Sequence, residues 1–276
     1  MDWIEKTMPF KSKDTLNFDA VIFDMDGVVT RTASVHSLAW KRTFDEYLHC
    51  REKEYNEPFR EFTSADYLSF VDGRPRYDGV NAFLKSRGIK IPFGGPEDES
   101  GKETVCGLGN RKNELFNRIV AEQGVEVYES TIELIKELLD RGVKVGVATS
   151  SKNCAQILER ARIINLFETR VDGTVSAKLG LKGKPEPDIF ITACDNLGVE
   201  YRRAIIVEDA VSGVQAGSKG KFGLTIGVAR EGNSRELLAN GADVVVNDLS
   251  ELGVDDINEL LAKAPKNPSL KILSES

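Results

Sequence analysis

The first apolar run in the chain is short and abrupt. Asp19–Phe23 reads DAVIF between polar neighbours, which predicts a buried strand ended by Asp24-Met25-Asp26-Gly27. The period then changes, and Val35, Trp40, Phe44 and Leu48 are spaced to share one face of a long helix. Further on, Ser130 and Glu133 have capping-box spacing ahead of a helix in which Ile132, Ile135 and Leu139 share a face, and Arg141-Gly142 stops it. Val143–Ala148 is predicted as a strand, Ser151–Arg162 as a helix, and Pro185 opens a helix running to about Leu197, before Gly198. The same pattern predicts strands at Ala204–Val207, Phe222–Val228 and Val244–Val246, with helices at Ala210–Ser218 and Arg235–Asn240 between them.

Strands alternating with helices of this length predict an α/β fold, a doubly wound, Rossmann-like parallel sheet covered on both faces. Ligands in such folds bind at the carboxyl ends of the strands. The stretch 33–126 breaks the rhythm. It is helical and polar, and it carries a Gly/Pro/acid-rich loop, Pro92–Gly101, with the composition of a solvated segment. An inserted helical cap domain is therefore expected over 33–126, with 1–32 and 127–276 forming the core and the chain crossing near 31–33 and 125–129. The tail from Lys263 onward is expected to be mobile.

Composition narrows the chemistry. A net charge of −7 without a long basic run argues against nucleic acid or an anionic membrane as partner. An acidic protein that handles anions must gather positive charge locally, in a site. The cysteines (Cys50, Cys106, Cys154, Cys194) are scattered with no CxxC, the usage of reduced thiols. No apolar run approaches a membrane span and the amino terminus has no signal-peptide core, so the cytoplasm is the expected compartment.

Four segments carry candidate chemistry. Asp24 and Asp26, two residues apart at a strand end, can divide the work of nucleophile beside a metal and offset general acid–base, although Asp-Gly is also a common turn. Thr149-Ser150-Ser151-Lys152-Asn153 runs from a strand into a helix, with hydroxyl and N–H donors suited to phosphate oxygens or, alternatively, a plain helix cap. Lys184, just before Pro185, can neutralise an aspartate and an incoming phosphate. Glu208-Asp209, ending the strand Ile205-Ile206-Val207, supplies hard oxygen ligands for Mg²⁺.

In this order and at these strand ends, the four segments resemble the haloacid dehalogenase-like superfamily over essentially the whole chain. The resemblance implies that Asp24 becomes a phosphoaspartate and that Asp26 is the acid–base. It also implies that Thr149 and Lys184 hold phosphoryl oxygens, and that Glu208 and Asp209 bind Mg²⁺ with the Asp24 carboxylate and the Asp26 backbone carbonyl. Within that superfamily, Thr32, His36 and Trp40 resemble a hinge segment of β-phosphoglucomutases whose histidine helps control the acid–base aspartate. Gly73-Arg74-Pro75-Arg76 matches a cap loop whose arginine grips a second phosphate, and Arg111-Lys112-Asn113 resembles a cap helix whose lysine contacts the sugar phosphate. Ser151, Lys152 and Asn153 complete a cationic, amide-bearing second phosphate site.

The resemblance thus implies interconversion of β-D-glucose 1-phosphate and glucose 6-phosphate by a monomer or weak dimer. A sugar-phosphate phosphatase and a silent phosphosugar-binding relative are the alternatives. The sequence departs from the pattern around Arg76, where Gly79 stands at a position often held by serine, and in longer segments at Cys50–Asp72 and Pro92–Thr104. These departures leave open a larger phosphosugar, or water as acceptor.

Overall fold

The structure, a computed structural model, describes residues 16–263 except Glu57 and Glu231. The chain forms β1 (Ala20–Phe23), α1 (Thr32–Tyr55), the single turn α2 (Ser64–Asp66), α3 (Arg76–Ser86), α4 (Val105–Gln123) and α5 (Glu129–Asp140). It continues through β2 (Lys144–Ala148), α6 (Cys154–Arg160), β3 (Thr169–Val171), α7 (Gly173–Leu179), α8 (Asp188–Leu197), β4 (Ala204–Glu208) and α9 (Val211–Gly220). β5 (Leu224–Val228), α10 (Ser234–Ala239), β6 (Val244–Val246) and α11 (Val254–Lys263) complete it.

The six strands pair in parallel in the order β3-β2-β1-β4-β5-β6. All four residues of β1 are buried because both sheet faces are covered. Val21 and Phe23 pack with Val145, Val207, Ile135 and Ile257 on one face, and Ala20 and Ile22 pack with Ile189 and Phe190 of α8 on the other. Each of the larger side chains here contributes about 1.5–3 kcal/mol by leaving water. An Ile22→Asp change would place an unpaired carboxylate in that layer and unfold it. The strand order reverses between β1 and β4, so the loops after these two strands face each other across the crevice where doubly wound sheets bind ligands.

Helices α1, α3 and α4 enclose a separate apolar cluster of Trp40, Phe44, Phe62, Phe83 and Leu108. Phe44 lies 4.2 Å from Phe83 and 5.0 Å from Phe62, ring centroid to centroid, so a small helical unit gets its buried area from a few large rings. The chain enters and leaves this region side by side. Arg31 N donates to Glu126 O at 2.9 Å, and Tyr128 N donates to Val29 O at 3.0 Å.

Several local expectations need correction. The helix expected from Ser151 starts at Cys154, because the Thr149 hydroxyl accepts from Ser151 N (3.1 Å) and the Ser151 hydroxyl from Asn153 N (3.2 Å), holding 149–153 as a turn. The helix expected from Pro185 starts at Asp188, after a turn in which Glu186 N bonds Gly183 O. No capping box forms at Ser130. α5 begins two residues earlier than a Ser130 cap would start it, behind Tyr128, and Thr131 donates to Val28 O at 2.7 Å. Strand β3 and helices α7 and α11 went unread. The loop 92–104 is exposed along much of its length, yet it is tied down. Asp98 accepts from Gly95 N, Lys102 and Thr104, and Val105 N and Cys106 N bond back to Pro92 O and Phe93 O. All but the first residue of the tail expected to be mobile lies outside the described residues.

Candidate active site

β1 delivers Asp24 to the crevice and β4 delivers Glu208 and Asp209 beside it. Lys184, reaching in from the loop after α7, is buried between them. Its Nζ donates to Asp24 Oδ1 at 2.5 Å, to Glu208 Oε1, and to Ala148 O at 3.4 Å, so all three ammonium protons are used. Burial works against the Lys184 charge, but the Asp24 and Glu208 carboxylates outweigh it and raise its pKa. Burial, with Glu208 and Asp26, pushes the Asp24 carboxyl up against the pull of Lys184. The two shifts oppose one another, and the short contact to an ammonium decides between them, since it is the charge-assisted geometry of a carboxylate.

Asp24, Glu208 and Asp209 each offer a carboxylate oxygen, and these atoms lie within 4.8 Å of one another. Glu208 Oε2 is steadied by Asp209 N (2.9 Å) and Ala210 N (3.0 Å). The Asp209 carboxylate accepts no hydrogen bond among the described residues, and burial, then Asp72 and Glu208, push it well up. Gly27 makes room for it. At φ +89° it sits where a side chain would be strained, and a Cβ there would run into the Asp209 carboxylate. Several acids around one ammonium, with oxygen-only donors, fit a hard divalent cation such as Mg²⁺.

Asp26 points away from this cluster. Its carboxylate accepts from Thr32 Oγ1, with Thr149 Oγ1 at 3.4 Å and His36 Nε2 at 3.2 Å. Thr32 is joined to Thr30 by a 2.6 Å hydroxyl contact. Lys112 Nζ contacts His36 Nδ1, and a protonated lysine there can only donate, which leaves the imidazole proton to Nε2, 3.2 Å from Asp26 Oδ1. Burial and Lys112 hold the imidazole pKa below its usual value, keeping the ring neutral. Burial pushes Asp26 up, but His36, Thr32 and Lys112 together bring it below the ordinary carboxylate range. His36 stacks on Phe116 at 4.0 Å, and Lys112 lies 4.9 Å from the Trp40 and Phe116 ring centres.

A second group of cations faces the acids across the cavity. Arg76, at the start of α3, donates to Asn113 Oδ1 at 2.8 Å, and Asn153 Nδ2 donates to the same oxygen at 2.8 Å. Lys152 Nζ stands 5.2 Å from the Tyr77 ring centre. Among the described residues none of Arg76, Lys112 and Lys152 has a carboxylate partner within 4 Å. Burial lowers all three pKa values, and Arg76 adds to the shift at both lysines. The loop at Asp72-Gly73 docks on two hydroxyls beside the sheet, with Ser150 Oγ donating to Gly73 O at 2.8 Å and Ser212 Oγ to Asp72 O at 3.2 Å.

The structure therefore gathers Asp24, Asp26, Trp40, Gly73, Thr149, Ser150, Ser151, Lys152, Asn153, Glu208 and Asp209 around one cavity with His36, Arg76 and Lys112. Lys184 and Thr32 sit immediately behind its wall. Of the four residues expected at the metal, only the Asp26 side chain is turned elsewhere. Asp72 and Tyr67 line the cavity without having been singled out, and burial pushes the Asp72 carboxyl up to about 7. Asp72 directly precedes the Gly73–Arg76 motif, which was the available signal. Nothing in the pattern marked Tyr67.

Comparison with known proteins gives the family. A family model described as haloacid dehalogenase-like hydrolase matches residues 18–220. A β-phosphoglucomutase of Mycobacterium bovis is 42% identical over 237 residues, covering 84% of this chain and 90% of its own. One from Bacillus subtilis is 32% identical over 242 residues, covering 87% and 94%. Among solved structures, a β-phosphoglucomutase from Clostridium difficile superposes with a TM-score of 0.72 at 22% identity, covering 91% of this chain and 100% of its own. Family model, relatives and fold agree: this chain belongs to the haloacid dehalogenase-like hydrolases, in their β-phosphoglucomutase-like branch.

Proposed function

We propose that the protein is a β-phosphoglucomutase, converting β-D-glucose 1-phosphate to glucose 6-phosphate through β-glucose 1,6-bisphosphate. The observation that carries this reading is the second cationic group. Among the described residues Arg76, Lys112 and Lys152 lack carboxylate partners within 4 Å, opposite an acid cluster that already has its own lysine. A phosphatase acting on a monophosphate needs one phosphate site, whereas a mutase must hold a bisphosphate in two orientations.

In this reading Asp24 attacks phosphorus in line and carries the phosphoryl group, while Asp26 takes and returns the sugar hydroxyl proton. Lys184 and Thr149 hold the transferring oxygens. Thr32 and the Nε2–H of His36 set the acidity and aim of Asp26. Asp24, Glu208, Asp209 and the Asp26 carbonyl would hold Mg²⁺, which supplies charge neutralisation for the transferring group. We place the domain boundaries at the paired crossings, with 33–126 as a cap whose docking through Asp72 and Gly73 keeps water from the phosphoaspartate.

One observation favours a phosphatase instead. Gly79 presents no hydroxyl to a distal phosphate, and a Cβ there would sit 3.0 Å from Val71. Phosphorus NMR of the enzyme with Mg²⁺, β-glucose 1-phosphate and a trace of glucose 1,6-bisphosphate separates the two. Glucose 6-phosphate without matching inorganic phosphate is expected. Inorganic phosphate as the only product would establish the phosphatase.

A further inference from the structure

The loop 92–104 has no part in the chemistry above, yet it is wired to the residue that receives the second phosphate. The link is Asn110, on the second turn of α4. Its Oδ1 accepts from Tyr77 Oη at 2.9 Å and faces Arg76 Nη1 at 3.5 Å. Its Nδ2 donates to two loop carbonyls, Pro96 O at 3.0 Å and Asp98 O at 2.8 Å. Arginine only donates, so the orientation of the amide is chemically fixed and all four of its contacts are used. The loop end of this chain is itself anchored. Asp98 accepts from Thr104 Oγ1 (2.7 Å), Lys102 Nζ (2.6 Å) and Gly95 N (3.1 Å), and the Thr104 hydroxyl caps α4 by accepting from Gly107 N (2.9 Å).

Arg76 is thus held by neutral groups, the Asn113 amide on one side and Asn110 with the neighbouring Tyr77 on the other, and by no carboxylate within 4 Å among the described residues. Held in this way, a guanidinium is oriented while its charge stays available to an anion. A carboxylate in either place would orient it equally well but neutralise it. The Tyr77 hydroxyl, bound to the same Asn110 oxygen, keeps the ring next to Arg76 and below Lys152, so one amide sets the positions of two of the three cations.

We propose that Asn110 is a positioning residue for the distal phosphate site, and that the loop 92–104 is the brace through which it acts on Arg76. The inference rests on the reading of Arg76 as the distal phosphate ligand. It makes the longer loop part of the specificity apparatus. Without Asn110 the guanidinium keeps Asn113 but loses its second anchor, and the phosphate must then order it on binding.

The test is a double-mutant cycle on bisphosphate affinity. Binding of β-glucose 1,6-bisphosphate with Mg²⁺ is measured by calorimetry in an Asp24→Asn background, for Asn110→Ala, Arg76→Ala and the pair. Asn110→Ala is expected to weaken binding about five- to tenfold, the range of one or two neutral hydrogen bonds, and to add almost nothing once Arg76 is gone. Mg²⁺-dependent trapping of trifluoroberyllate on an intact Asp24, read by fluorine NMR, should be unchanged by Asn110→Ala, because it reports the nucleophile side alone. A general structural loss would move both readouts.

Affinity within twofold of the parent in folded Asn110→Ala, or full additivity with Arg76→Ala, would overturn the proposal. Should Asn110→Ala not fold, Asp98→Ala loosens the brace from outside the cavity. A severalfold loss of affinity then supports the proposal, and unchanged affinity refutes it. If Arg76→Ala itself leaves bisphosphate binding intact, the assignment of Arg76 fails first, and that result is distinct from failure of the brace alone.

Discussion

Replacing Lys184 with methionine keeps an unbranched buried side chain and removes one charge. The ammonium contacts Asp24 at 2.5 Å and also Glu208, with its own side chain fully enclosed. Breaking a buried ion pair by removing one partner costs about 3–5 kcal/mol, because the charge left behind has lost its solvation and its counter-ion. Here two carboxylates are left, so the metal-free variant should sit at the upper end of that range. In a chain of this size each kcal/mol lowers Tm by about 2–4 °C, which gives a loss of about 10–20 °C.

Added Mg²⁺ should narrow the gap, since the same acids gain another counter-charge. Lower pH should narrow it as well. Burial already raises Asp24 above its unfolded value, and the variant lacks the lysine that opposes this. A group raised in the folded state contributes stability below its unfolded pKa and loses it as pH rises through the folded one, so the deficit is largest at neutral pH and shrinks on acidification. Thermal unfolding in EDTA, in excess Mg²⁺ and across pH 4–8 reads all three. A variant melting within about 2 °C of the parent in EDTA, with no response to Mg²⁺, would refute both the ion-pair account and the cluster as a cation site.

Two further expectations follow from the cap. Gly73 has φ +66°, and a Cβ there would run into Ser212 Oγ and come within 3.0 Å of Ala210 Cβ. Gly73→Ala combines a left-handed penalty of about 1–2 kcal/mol with a steric block to docking, so kcat/KM should fall at least about tenfold while Tm falls by only about 2–8 °C. Steady-state kinetics beside a melting curve checks this, and unchanged kinetics would dismiss docking through Gly73. Lys112 is held below the usual lysine range by burial, then by Arg76, against the pull of Asp26, with His36 at its Nζ. The alkaline limb of kcat/KM should therefore fall below the range of a free lysine and disappear in Lys112→Met. An alkaline limb unmoved by that change would assign it to another group.

Much of the framework was legible because it rests on local patterning. Buried strands such as DAVIF and AIIV announce themselves as apolar runs, and the acids and hydroxyls that end them lie where a doubly wound sheet exposes its loops. β3 was not legible. It is three residues long, Thr169-Arg170-Val171, and its arginine reaches Asp172, so it has no apolar run to detect. Helix starts at Cys154 and Asp188 were misplaced where side-chain and turn hydrogen bonds compete with helix formation. The surroundings of Arg76 were least legible of all. Asp72 and Asp78 are its acidic neighbours along the chain, whereas the fold brings Asn110 and Asn113 to it from another helix. Such contacts are tertiary and leave no periodic trace.

In the proposed reaction Asp24 carries the phosphoryl group. Acid-quenching the enzyme during turnover with Mg²⁺ and β-glucose 1,6-bisphosphate, then mapping peptides by mass spectrometry, tests it directly. The peptide containing Asp24 should gain the mass of one phosphoryl group, labile to hydroxylamine and absent from Asp24→Asn. Turnover with that peptide unmodified, or with the label on another residue, would contradict it.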